Sequence, residues 1–255
     1  MNALAEAIVE RGGVVRHLTG RPPLVLRQVQ SAHPDVAGLC LVGGAAGPLA
    51  GDDLRLSLEV GRGAYARLEA TGAAIAQGCA PADPGRLITR VRIAASGSLV
   101  ATPPPLVACE GSSTEVALEA ALEADAALDW SEVVVLGRSA ENAGGVLLSW
   151  HVSVDGRPLL LQSVDIRDPA MLSWPGMIQR RRVVATRLIV GDPHEESPLV
   201  PRTVVRSPFA VAQQLNHRAV LLSVLASDAL TAGFELGELA RAIRPKCSRS
   251  RSLCN

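Results

Sequence analysis

Hydrophobic and polar residues alternate strictly along Leu54–Val60. Leu54, Leu56, Leu58 and Val60 are apolar, and Arg55, Ser57 and Glu59 stand between them. A period of two sends successive side chains to opposite faces, so this stretch predicts a half-buried strand. Gly61-Arg62-Gly63 interrupts the pattern, which resumes at Tyr65, Arg67 and Glu69. A strand, a glycine turn and a second strand predict a hairpin. The same alternation returns at Leu87–Ile93, with Arg86, Arg90 and Arg92 outward, and at Ser149–Val154. Asp155-Gly156 then predicts a tight turn into Pro158–Gln162.

Weaker alternation over Val14–His17 and Leu24–Gln28 marks the first strands, and Leu39–Val42 reads as a short buried one. Residues 1–13 predict a short helix, with Leu4, Ala7 and Ile8 on one side, or a frayed start. Glu115–Leu128 is rich in Ala, Leu and Glu and so helical by propensity, yet it alternates. The reading adopted is strand, because tertiary context overrides propensity. The prolines at 103–105 predict an edge or a coil corner, because proline has no amide proton for a ladder. Val133–Leu136, Val183–Val190 and Ala219–Leu225 are apolar, β-branched strands. Asp168–Met177 and Gly191–Pro201 read as loops. Ser227 predicts an N-cap for a helix running to about Ile243, with Leu230, Phe234, Leu236 or Gly237, and Leu239 inward.

Composition narrows the function classes. The chain has 255 residues, 48% of them hydrophobic, enough for a sizeable core. Zero formal net charge argues against a nucleic acid or an acidic membrane held by bulk electrostatics, and 2% aromatics leaves no stacking platform. Five scattered cysteines with no CxxC pair favour reduced thiols, and no apolar run reaches the ~18 residues of a membrane span. The N-terminal stretch carries acids where a signal peptide would have bases. A cytoplasmic protein is expected.

Candidate chemistry is sparse. Leu39–Val42 followed by Gly43-Gly44 invites a dinucleotide-binding reading, but the glycine spacing is wrong and Pro48 intervenes. The five histidines show no HxH, HxxxH or HExxH spacing. Asp192-Pro193-His194-Glu195-Glu196 is the one His–carboxylate cluster, and Cys247 and Cys254 lie in the basic tail; both read best as solvated chain. No nucleophile elbow or phosphate loop is present. Asp52 and Glu141 become candidate functional carboxylates only through a family resemblance. The alternative for Asp52 is a turn residue accepting local amides, and for Glu141 a structural pair with Arg138.

Several motifs in order resemble one family. They are Gly43-Gly44, Gly51-Asp52 with Leu54, Leu56 and Leu58, Gly61-Arg62-Gly63-Ala64, the proline run at 103–105, Leu136-Gly137-Arg138, and Asp155-Gly156 followed by Pro158-Leu159-Leu160. The chain over residues 24–243 resembles the urease accessory proteins called UreD or UreH. The resemblance implies a mainly β fold, a β-helix-like stack of short strands with a C-terminal helix, and divides Glu115–Leu128 into two strands at Ala124–Ala127. It falls within one β-rich domain read from the residues over 1–244, with the basic, unpatterned 245–255 read as a disordered tail. It also implies a non-enzyme that helps insert nickel into urease, standing between apo-urease and the UreF–UreG GTPase complex. Nickel would pass in transit with no tightly bound cofactor, and Asp52 and Glu141 would be its contacts. Gly72, Ile75 and Ala76 depart from the family pattern, and Glu141 is displaced from its usual Gly-Glu position. Those departures leave open a divergent copy that acts only as a protein-binding scaffold. An enzyme on a β-helix scaffold is the competing class.

Overall fold

The computed structural model describes residues 1–78, 83–174, 177–191 and 203–243. In chain order the strands are β1 (Asn2–Glu10), β2 (Val14–Thr19), β3 (Leu24–Val29), β4 (Val36–Gly43), β5 (Asp53–Val60), β6 (Tyr65–Ala70), β7 (Ala74–Ala76), β8 (Gly85–Ile93) and β9 (Ser98–Ala101). They continue as β10 (Leu106–Ala108), β11 (Ser113–Leu122), β12 (Ala127–Leu136), β13 (Gly145–Val154) and β14 (Arg157–Asp165). A short helix α1 (Pro169–Ser173) precedes β15 (Val183–Val190), β16 (Val204–Ser207), β17 (Ala210–Asn216), β18 (Ala219–Ala226) and helix α2 (Ala229–Ala242).

These strands form two sheets. One runs β14-β13-β11-β8-β5-β1-β2, and the other β16-β17-β18-β15-β12-β9-β6-β4-β3 with β10 and β7 attached at β12. The centre of each sheet is parallel: β13, β11, β8, β5 and β1 in one, β12, β9, β6 and β4 in the other. Antiparallel strands close both ends. The chain crosses from sheet to sheet at each turn, so successive coils stack as in a β-solenoid. Parallel strands are buried on the faces they share, and the inward residues form one continuous core. Leu54, Leu56 and Leu58 of β5 meet Leu118 and Leu122 of β11, Leu68 of β6, Leu99 of β9, and Leu128 and Trp130 of β12 in one cluster. The outward face of the seven-stranded sheet is a lattice of charges. Arg86 pairs with Glu115 at 2.9 Å, Arg90 with Glu119 at 2.7 Å and Arg92 with Glu59 at 3.3 Å.

The stacking corrects the hairpin expected at Gly61–Gly63. β5 and β6 belong to different sheets, and the glycines turn a corner between them. Each strand finds its hydrogen-bond partners in the next coil, in parallel, which outweighs local pairing. The helix expected over residues 1–13 is also overturned. Ala3, Ala5, Ala7 and Val9 are buried at every second position, while Leu4 is exposed. The strand lies parallel to β5 in an eight-residue register, and this tertiary ladder overrides alanine's helical preference. β10 is not an edge strand, since it pairs with both β7 and β12; the prolines precede it.

The two strands expected around 115–128 form β11 and β12, and Asp155-Gly156 turns β13 into β14 with both residues at positive φ. A short helix, α1, sits inside the segment read as a loop, capped by Asp168. β16 and β17 went unread in the sequence. Helix α2 is capped by Asp228, whose side chain accepts from Thr231 N; Ser227 instead donates to Asp228. The buried residues of α2 are Ala232, Leu236, Leu239 and Ala240, packed on Val183, Ala185, Val220 and Leu222. Leu230 and Phe234, expected inward, are 86% and 58% exposed. The helix lies flat on a sheet already lined with branched side chains, where alanine allows close approach. Most of the 191–201 segment, the Asp192–Glu196 cluster, Cys79 and the tail with Cys247 and Cys254 lie outside the described residues.

Candidate functional site

The described residues of the connections that lead into the seven-stranded sheet, 44–52, 77–78 with 83–84, 109–112 and 137–144, follow β4, β7, β10 and β12 and stack along one rim. Backbone bonds tie successive connections together. Gly51 N donates to Asp83 O, Cys109 N to Ala76 O, and Gly144 N to Ala108 O. Glycines allow this closeness. A side chain at Gly85 would put its Cβ 2.5 Å from Leu49 O, and one at Gly144 would strike the Cys109 carbonyl.

Asp52 sits on the first of these connections and is 4% exposed. Its Oδ2 accepts from Leu49 N at 2.9 Å, and its Oδ1 lies 2.6 Å from the Met1 nitrogen. It closes a turn, since Asp52 N donates to Leu49 O, and joins that turn to the start of β1.

Glu141 sits on the fourth connection. Its carboxylate accepts from Arg138 N at 3.1 Å and Nε at 2.8 Å, and from Nη2. The Arg138 guanidinium hydrogen bond holds its pKa down to about 2. Arg182 threads beneath the loop and donates to the carbonyls of Leu136, Arg138 and Glu141. The adjoining connection carries Glu110, which accepts from Asn142 Nδ2 at 2.7 Å, and buried Cys109, whose thiol pKa is raised by burial.

The two carboxylates therefore share a rim but are not brought together. β5 and β13 are three strand steps apart in the sheet order, which is about 14 Å at the usual strand spacing. His17 approaches Glu6 at 3.8 Å, and His33 lines a groove of about 400 Å³ beside Tyr65, Arg67 and Glu69 on the larger sheet. Among the described residues, no group of three or more His, Cys, Asp or Glu could hold a metal ion. No helix among them is long and apolar enough to cross a membrane.

The family model described as "UreD urease accessory protein" matches residues 4–253. The chain belongs to the UreD family. A urease accessory protein UreD 1 of Saccharopolyspora erythraea is 31% identical over 236 residues, covering 91% of this chain and 90% of the relative. A UreD 1 of Streptomyces griseus is 34% identical over 183 residues, 71% of each chain. A UreD of a Parafrankia species is 32% identical over 222 residues, 78% of this chain and 73% of the relative. The stacked two-sheet body is thus the body of a urease accessory protein, and the family implies a role in urease maturation.

Two polar features of this UreD chain escaped the sequence reading. Asp129, 2% exposed, forms a bidentate pair with Arg187 at 2.6 and 2.7 Å on the face of β12 turned away from the other sheet. Glu132 occupies the inward phase of the same strand, between Trp130 and Val134, and Trp150 Nε1 donates to it at 2.5 Å. The signal was available: a carboxylate falls where the alternation of Leu128, Trp130, Val134 and Leu136 demands an apolar side chain.

Proposed function

We propose that this chain is a maturation factor that helps nickel enter the urease active site, acting as scaffold and conduit between apo-urease and the UreF–UreG GTPase complex in the cytoplasm. The observation that carries the reading is the family match, which extends over residues 4–253 and so takes in the whole stacked body. The geometry adds a physical reason. A rigid two-sheet stack holds its rims at fixed separation, as a body bridging two partners must.

Asp52 and Glu141 are the proposed contacts for the ion in passage. A carboxylate offers about four lone-pair sites. Protein donors take two at Asp52 and three at Glu141. Either residue could meet a cation only weakly or by releasing a partner. Weak contact suits delivery, because a dense His/Cys site would retain nickel.

A second reading, a protein-binding scaffold that never touches the ion, is favoured by one specific observation: both carboxylates already hold loop backbone in place. Co-expression separates the two readings. The chain should co-purify with UreF, UreG and apo-urease, and the urease matured in these cells should carry nickel. If Asp52→Asn and Glu141→Gln leave the nickel content of urease unchanged, the scaffold reading stands. If the chain captures none of these partners, both readings fall.

A further inference from the structure

A cavity of about 10 Å³ lies between the two sheets, lined by Glu132, Val134, Leu148, Trp150, Gln162 and Thr186 among others. That is about the room one water molecule needs. Glu132 is half-buried, and it lines this cavity. Its Oε2 accepts from the indole N–H of Trp150, itself buried. Gln162 Oε1 is buried against the same cavity and accepts no hydrogen bond from any protein group. A buried acceptor left without a donor is destabilising, so the site calls for an O–H or N–H.

Among the described residues, no charged group faces Glu132 from the strands around it. On β12, Asp129 points to the other face of the sheet and is paired with Arg187 of β15. On β13, His151 lies on the exposed outer face. On β14, Asp165 is exposed and paired with Arg167. The remaining walls are Val134, Leu148, Val164, Val184 and Thr186. A carboxylate there would have one neutral N–H for company and no counter-ion.

We propose that Glu132 stands in the folded protein as the neutral acid and donates its proton across the cavity toward Gln162 Oε1, forming a pH-sensitive latch between β12 and the β13–β14 pair. Losing the proton leaves a bare charge between the sheets and withdraws the Glu132 O–H from Gln162. This device is independent of the nickel-delivery reading.

Burial raises the Glu132 pKa from 4.5 to about 7. The sign follows directly. Below about pH 4.5 both the folded and the unfolded chain carry this proton. Between about 4.5 and 7 only the folded chain does, so stability falls as pH rises through that window and is level above it. The shift corresponds to roughly 300-fold in the unfolding equilibrium.

Urea titrations of the wild type and Glu132→Gln at pH 5 to 8.5 test this. Gln keeps an acceptor for Trp150 and supplies an N–H to Gln162. The ratio of the two unfolding constants should change by one to two orders of magnitude across the range, with the variant relatively more stable at high pH. Every other carboxylate is common to both proteins and cancels in the ratio. A ratio that does not change with pH overturns the proposal. If the variant fails to fold, infrared difference spectra of the wild type decide: a protonated carboxyl stretch present at pH 5.5 and lost at pH 8.5 upholds the latch, and its absence overturns it.

Discussion

Replacing Asp52 with Ala tests whether the rim is held together as its hydrogen bonds indicate. Two contacts would go. Leu49 N would lose its acceptor at 2.9 Å in a part-buried turn, at a cost of about 1–3 kcal/mol. The Met1 nitrogen would lose a partner at 2.6 Å, but Met1 is 47% exposed and water replaces that contact, so its share is about 0–1 kcal/mol. The total is about 1–4 kcal/mol, which for a chain of this size lowers Tm by roughly 2–16 °C. Asp52→Asn keeps an amide oxygen for Leu49 and removes only the charge, so it should lose about 0–1 kcal/mol. Thermal melts of the wild type and both variants give the ordering directly. Hydrogen exchange at Leu49 and Arg86 places the effect, because Arg86 N donates to Asp52 O at 2.7 Å. An Ala variant that melts with the wild type would refute the turn-closing role.

Other outcomes follow from the same structure. Asp129→Ala removes the bidentate partner of Arg187 at a site 2% exposed, and should cost about 3–5 kcal/mol in a urea titration. Gly144→Ala should sharply reduce the yield of folded protein, since its Cβ would collide with the Cys109 carbonyl and the Ser112 hydroxyl; expression and melting check it. Glu141→Gln bears on acid sensitivity. The wild-type pKa is held near 2 by Arg138, so its contribution is whole above about pH 4.5 and fades as pH falls toward 2. The variant should lack that acid-dependent part and exchange its 137–144 amides faster at neutral pH.

Much of this fold was legible because alternation reports directly on burial. The β5 and β8 patterns gave their inward faces, and Asp155-Gly156 gave its turn, because each depends on neighbours in sequence. What could not be read was the choice of partner. Nothing between Val60 and Tyr65 distinguishes a hairpin from a corner between sheets; the ladder that decides it comes from β8 and β9, some thirty residues on. β1 was misread for the same reason, its alanines being helical alone and strand-forming only beside β5. On α2, Leu236 and Leu239 are inward as expected, yet the sheet beneath also takes Ala232 and Ala240 and leaves Leu230 and Phe234 outside. For the two candidate carboxylates, their separation in space was not legible. Asp52 and Glu141 lie 89 positions apart in the chain, and only the stacking order shows that they share a rim without sharing a site.

The proposal that this chain helps nickel enter urease is tested most directly by the nickel content of urease purified from cells lacking it. The account predicts urease protein in normal amount, almost free of nickel and inactive, with both restored when the chain is supplied again. Urease that is fully nickel-loaded and active in its absence would contradict the account.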